Sequence, residues 1–332
     1  MGGLKRAVYF FCADAIDKVA GNVLEAAREL FQLEDAGTAV DGWPVLKASH
    51  RSGEEFHFVR TAKVVSHDYP HYLPILCDLF GDFDIAGVVT WHGGQNAPPR
   101  VLTTHTTGDV ASGNFGPADP ARMRALVLAL EKNRIESGLD GFRTLTEATH
   151  WSGMVYDGGP PELLPRYGVP LLDIEIGSEP ESWADPVAGR AIARSLAGIF
   201  EHDGARVRNL LCAGGVHFEP AFVGAVLDRA GPVAFAVSHI LANQWLISGG
   251  YDASTGLRKL ESCVASIRGG IDGIVFHDNL KGPYKDSLRE LGRKLGIPAF
   301  KHQALRDPGA IKWVDRSPNA SDGIIGPTLA RS

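Results

Sequence analysis

"PLLDIEIGSE", residues 170–179, has the composition of a buried strand but carries carboxylates inside it. Leu171, Leu172, Ile174 and Ile176 are apolar, with Asp173 and Glu175 interleaved. Side chains alternate across a strand, so 173 and 175 project from the same face. At a sheet edge that face would meet water. In a central strand, each buried carboxylate needs a partner or a function. The spacing alone leaves both arrangements open.

Similar apolar runs recur on either side of this stretch. Strands are expected at 6–12, 56–65, 85–91, 100–105, 144–150, 169–176, 207–213, 233–237, 273–277 and 298–300, each bounded by Gly, Pro, Asp or Asn. Several are apolar on both faces, as strands covered by helices on both sides would be. Helical patterns fall between them. "DPVAGRAIARSLAGIF" (185–200) places Asp185 at the N-cap and Pro186 at the first helical position. "ARMRALVLALEKNR" (121–134) and "PYKDSLRELGRKLG" (283–296) are further helices. The alternation predicts an α/β fold: a three-layer domain with a parallel or mixed central sheet. Residues 1–302 read as one α/β catalytic domain with room for a smaller inserted subdomain. Residues 303–332 lose periodicity and read as an irregular C-terminal tail.

Composition limits the classes of function. The 332 residues carry a formal net charge of −6, so any nucleic-acid contact must be a local patch and not a basic surface. The four cysteines, Cys12, Cys77, Cys212 and Cys263, are widely spaced, which argues against a disulfide framework and for a reducing compartment. The start, "LKRAVYFFCADA", has the outline of a signal peptide. Its apolar run leads straight into the amphipathic "DAIDKVAGNVLEAARELF", and a strand followed by a helix explains both. No stretch of about 18 or more apolar residues is present, so a cytoplasmic protein without a membrane span is expected.

His92, His105, His150 and His217 each lie at the end of a strand-like run or in the turn beyond it, and His239 follows another. Ligand crevices in open α/β sheets lie beyond the carboxyl ends of strands. Imidazoles there serve as bases, oxyanion partners or metal ligands. No HExxH spacing occurs, so a metal would draw ligands from separate loops. Gly214 and Gly215 in "LLCAGGVHFEP" form a strand-to-helix turn whose backbone N–H groups suit an anion.

Five stretches in order resemble the archaeal and plant type of D-aminoacyl-tRNA deacylase. "TTHTTGD" (103–109) is similar to that family's Thr-Thr-His-x-Thr-Gly, and "EATH" (147–150) before "WSG" to its Glu-Ala-Thr-His-His-Gly-Pro. "IEIGSEPESW" (174–183), "GGVHFEP" (214–220) and "SHIL" (238–241) match its Ile-Glu-Ile-Gly-Ser, Gly-Gly-Gly-His-Tyr-Ala-Pro and Gly-His-Ile-Leu runs. The resemblance covers roughly residues 6–302. It departs at Trp151, where the family has a second histidine, at Ser152-Gly153, at Val216 and at Ser238. Those departures and an excess of arginine over lysine suit a diverged bacterial relative.

The resemblance implies a phosphorylase/hydrolase-like fold and hydrolysis of the ester between a D-amino acid and the 3′-terminal adenosine of tRNA. Zinc is associated with that family, so no cofactor is fixed but zinc is a candidate, and the strand-end histidines His92, His105, His150 and His217 are the candidate ligands. By motif it marks Thr104, His105, Thr107, Glu147, His150, Glu175, Ser178, His217 and His239. An activated ester needs a positioned water, a base and oxyanion stabilisation. His150 or His105 is assigned as base, Glu175 as orienting group, and Thr104, Thr107 and the Gly214–Gly215 backbone as polar donors. Glu147, Trp151, Ser178, His217 and His239 are assigned to substrate binding, with Trp151 as an aromatic wall. Alternatives are a hydrolase or acyl-transfer enzyme for a small nucleoside or amino-acid conjugate, and a non-catalytic binder of tRNA or a nucleoside. DNA and membranes are not expected partners.

Overall fold

The run "KRAVYFFC" forms the strand Lys5–Cys12, buried from Ala7 onward because both of its faces are apolar. Tyr9 and Phe11 pack against Phe58 on one face, and the Tyr9 hydroxyl donates to the Leu196 carbonyl at 2.7 Å. Phe10 meets the edge of Phe80 on the other face, with ring centroids 5.5 Å apart. The first face is covered by the helices Lys18–Leu30 and Pro186–Leu196, the second by the helix Tyr69–Phe80. This is the expected three-layer α/β arrangement, seen in a computed structural model that describes residues 3–50, 53–94, 97–201, 206–228 and 233–314.

The main sheet has eight strands in the order 34–40, 43–50, 54–61, 5–12, 85–92, 171–178, 100–106 and 143–146. It is mixed. Leu171–Ser178 runs parallel to Ile85–His92 and antiparallel to Arg100–Thr106. It is therefore central, and Asp173 and Glu175 are 2% and 5% exposed, which removes the edge-strand alternative. A second, all-parallel sheet orders strands 234–241, 207–213, 273–276 and 299–301. The helix Pro120–Glu136 touches both sheets, and its Arg124 donates to the carbonyls of Val226 and Phe235 beside the smaller one.

All ten expected strands are present, with corrected ends. The run 56–65 stops at Thr61, and the run 144–150 stops at Thr146. The antiparallel strands Glu34–Val40 and Trp43–His50 were not expected, because their polar, half-exposed residues and Pro44 mask a strand pattern. The signal that was present is Asp41-Gly42 between them, with φ of 50° and 83° as a two-residue hairpin turn requires. Of the tail, His302–Arg306 and Pro308–Ala310 form 3₁₀ turns, and Trp313 packs against Phe235 and Phe300. Residues 315–332 lie outside the described residues. Among those described, no helix is long and apolar enough to cross a membrane.

Asp17 caps the helix Lys18–Leu30. It accepts the Ala20 N–H at 2.8 Å and the Thr90 hydroxyl at 2.9 Å. Burial raises its carboxyl from 3.8 to about 6, against the lowering effect of these bonds. A raised acid binds its proton more tightly in the folded state. The stability it contributes is full below about pH 4 and is lost as pH rises through 6. Asp17→Asn keeps an acceptor and removes the charge, so denaturant titrations should show it more stable than wild type at pH 7.5, by about 1–3 kcal/mol. That gain should vanish at pH 4; an equal difference at both pH values would refute the assignment.

Candidate active site

The antiparallel register places His105 directly opposite Asp173 and Thr103 opposite Glu175. Opposed residues share a face, so one imidazole and two carboxylates gather there. His105 Nδ1 donates to the Thr106 carbonyl at 3.1 Å, which turns Nε2 toward Asp173 Oδ2 at 3.4 Å and Glu175 Oε1 at 3.9 Å. Burial alone would lower the pKa of His105, but the carboxylates of Asp173, Glu175 and Glu147 outweigh it and raise the imidazole to about 9. His105 is a buried cation at neutral pH.

The segment 147–150 leaves the strand Arg143–Thr146 and runs extended between the two sheets. The Glu147 N–H donates to Thr104 of the main sheet at 3.2 Å, whereas Ala148 and Thr149 donate to His217 and Ile240 on the smaller-sheet side, each at 2.8 Å. His150 then bridges to the chain just beyond the main-sheet strand Arg100–Thr106, its carbonyl accepting from Gly108. Glu147 and His150 are thereby fixed at the seam.

Glu147 is fully buried. Its Oε2 accepts from His217 Nε2 at 2.8 Å and lies 3.4 Å from His92 Nε2. Burial would raise the carboxyl, but the four surrounding imidazoles hold it well below the usual range, and it is ionised. His92 ends the strand Ile85–His92 and is oriented by a 2.8 Å bond between Nδ1 and Ser178 Oγ. His150 Nδ1 donates to the Ala148 carbonyl at 2.9 Å, leaving Nε2 bare. Its ring stacks on His105 at 3.8 Å and lies 5.0 Å from His217. Burial and the neighbouring His105 cation push His150 well below the ordinary histidine range, so it is neutral. Burial, then Glu147, raises the Glu175 carboxyl well above its usual value. A neutral imidazole and an ionised carboxylate thus stand beside an imidazolium and a protonated carboxyl, which divides base from acid roles.

Four buried polar atoms of this cluster have no hydrogen-bond partner among the described residues: His105 Nε2, Glu147 Oε1, Asp173 Oδ1 and Glu175 Oε2. Among the described residues, three groups have ligand atoms within 4.8 Å of one another: His92, Glu147 and His217; His105, Glu147 and His150; His105, Asp173 and Glu175. Orphaned oxygens amid imidazole nitrogens are a donor set that suits a divalent cation such as zinc. A cavity of about 570 Å³ lined by Lys5, Arg122, Lys132, Phe200 and Glu201 shares no residue with this cluster.

Several expected roles do not match the geometry. Thr104 Oγ1 donates to the Asp173 carbonyl at 2.7 Å, and Thr107 is 2% exposed. The Gly214 N–H is bonded to the Leu241 carbonyl and the Gly215 N–H to Asn279 Oδ1, so neither is free for an anion. His239 lies in the core, bonded to Thr106, Thr149 and Ser266, and burial lowers it to about 3. Ser178 positions His92. Trp151 is 4% exposed and packs edge-on against Tyr69 with ring centroids 5.0 Å apart, so it walls no pocket. The aromatic residues at the cluster are Trp245, over His150 and His217, and Phe218, against His92 and His217. Neither carries a sequence signal that separates it from a core aromatic. Asp173 was visible on the strand face and lacked only an assigned role.

Residues 79–300 match the model of the D-aminoacyl-tRNA deacylase family. The chain is 32% identical over 254 residues to a D-aminoacyl-tRNA deacylase of Methanoregula boonei, covering 74% of this chain and 52% of that protein. It is 28% identical over 223 residues to that of Methanosphaerula palustris, covering 65% and 45%. For the Pyrococcus horikoshii protein the identity is 28% over 232 residues, covering 68% and 77%. The chain thus spans about half the length of the first two relatives. The crystal structure of a conserved protein of unknown function superposes with a TM-score of 0.72 at 18% identity, covering 95% of this chain and all of that one, and so shares the fold.

Packing at 151 is testable by stability. Trp151→Ala should cost about 3–5 kcal/mol in denaturant unfolding, and Trp151→Phe much less. A loss below about 1 kcal/mol for the alanine variant would contradict the core assignment.

Proposed function

The chain belongs to the D-aminoacyl-tRNA deacylase family, and we propose that it hydrolyses the ester joining a D-amino acid to the 3′-terminal adenosine of tRNA. The observation that carries this reading is the Glu147 cluster, where neutral His150 and cationic His105 stack 3.8 Å apart beside an ionised carboxylate. An aminoacyl ester needs one general base, a means of stabilising the oxyanion and a proton for the leaving alkoxide.

In the proposed reaction a water oxygen attacks the ester carbonyl while the bare His150 Nε2 takes the water proton. Negative charge that develops on the carbonyl oxygen is stabilised by the His105 cation. The tetrahedral intermediate collapses by breaking the bond to the ribose 3′-oxygen, which takes the proton back from His150. The products are the free amino acid and deacylated tRNA. Glu147 holds His217 and His92 in place, Ser178 orients His92, and the Asp173 and Glu147 carboxylates keep His105 charged. Zinc fits His92, Glu147 and His217; when bound it supplies Lewis acidity to a water or carbonyl oxygen. The substrate class and the free state of Cys12, Cys77, Cys212 and Cys263 support a cytoplasmic location.

Purified protein should release D-tyrosine from D-tyrosyl-tRNA and leave L-tyrosyl-tRNA largely intact. Replacing His150 by Gln should lower kcat by about 10²–10⁴-fold, read as loss of acid-precipitable label. Stoichiometric binding of charged tRNA without release would favour a non-catalytic binder. Turnover of small aminoacyl conjugates but not of tRNA would favour the diverged enzyme.

A further inference from the structure

Trp245, like Phe218, is an aromatic side chain at this site that the proposed chemistry does not use. It sits in the short helix Asn243–Ser248, which follows the strand Ala234–Leu241 of the smaller sheet. The helix is anchored by Leu246 in the core and by the Asn243 N–H donating to the Gly215 carbonyl at 3.3 Å. The indole lies nearly parallel to His150, at 25° and 5.9 Å, and meets His217 at 71° and 5.5 Å. It is only partly buried, and its N–H makes no hydrogen bond among the described residues. His217, whose side chain is 28% exposed, lies between Trp245 and Phe218, and the adjoining Val216 is 58% exposed.

The site therefore has two sides of different chemistry. Its inner side is lined by Glu147, Asp173 and Glu175, all 5% exposed or less. Its outer side is aromatic. A tRNA substrate is asymmetric in the same sense, because the terminal nucleoside is joined to the rest of the polymer and must lie toward solvent. The reacting carbonyl must reach the imidazoles. A partly exposed flat ring with an N–H unpartnered among the described residues, beside the base at His150, matches a nucleobase: the π-face stacks, and the indole donates to a ring nitrogen or a ribose oxygen.

We propose that Trp245 stacks on the adenine of the terminal adenosine and so binds the nucleoside half of the substrate, whatever its acyl group. This rests on the deacylase reading above. The test compares wild type, Trp245→Phe and Trp245→Ala on the D-tyrosyl and D-alanyl esters of adenosine and on the D-tyrosyl ester of base-free ribose. Thermal unfolding of each variant confirms folding.

The proposal expects Trp245→Ala to raise KM for both adenosine esters alike, by roughly tenfold to a hundredfold, with kcat largely kept. Trp245→Phe should retain most of the affinity, and the base-free ester should be indifferent to either change. Equal losses on the base-free ester, or no loss on any ester, would overturn the proposal. A loss on the D-tyrosyl ester but not the D-alanyl ester would assign Trp245 to the acyl group and also overturn it. Binding of AMP, followed by calorimetry on the same variants, separates this inference from the deacylase reading. If wild type turns over no ester yet binds AMP and Trp245→Ala does not, the activity reading fails and the stacking role stands. If wild type and Trp245→Ala bind AMP equally, the stacking role fails.

Discussion

The 2.8 Å hydrogen bond from His217 to the fully buried carboxylate of Glu147 is the constraint on which the site depends. Glu147 follows the last strand of the main sheet, and His217 follows the second strand of the smaller one. Burying an ionised carboxylate is expensive unless several donors or cations surround it. Here the compensation comes from both sheets at once: His92 and His105 from the main sheet, His150 from the seam and His217 from the smaller sheet. Folding one sheet without the other would leave the charge uncompensated. The same contact that assembles the site therefore couples the two sheets.

The backbone supports the same arrangement. Glu147 bonds to the main-sheet strand Arg100–Thr106, and Ala148 and Thr149 bond to His217 and Ile240 on the smaller-sheet side. An extended segment held on both edges cannot shift register without losing bonds on one side. This explains why a histidine follows a strand end at 150. The segment presents His150 into the seam, and Trp151, one residue on, turns into the core beside Tyr69. The electrostatics follow from this placement. Three carboxylates crowd two stacked imidazoles, so one imidazole is charged, the other is neutral and one carboxyl keeps its proton.

Much of the fold was legible because apolar runs and caps are local signals. Asp185 and Pro186 start a helix where the sequence placed it, and "PLLDIEIGSE" is a central strand with same-face carboxylates. The antiparallel strands at 34–50 were missed because the edge strand Glu34–Val40 is mostly polar and its neighbour Trp43–His50 is half-exposed and interrupted by Pro44, although Asp41-Gly42 marked their turn. The histidines at strand ends come together in space, a point that spacing could raise but not decide. Roles for Thr104, Gly214, Gly215 and His239 did not survive, since sequence cannot tell whether a hydroxyl, N–H or imidazole is already bonded inside the core. Trp245 went unnoticed for the converse reason. Its position over His150 depends on how a short helix of the smaller sheet sits against the seam, which is a purely tertiary fact.

A double-mutant cycle on Glu147 and His217 tests the central claim most directly. Glu147→Gln, His217→Gln and the double variant would be compared with wild type by denaturant unfolding, with a chelator present so that no metal carries the coupling. If the pair joins the two sheets, the effects are non-additive, with a coupling energy of at least about 1.5 kcal/mol. Additive losses within about 0.5 kcal/mol would contradict the account.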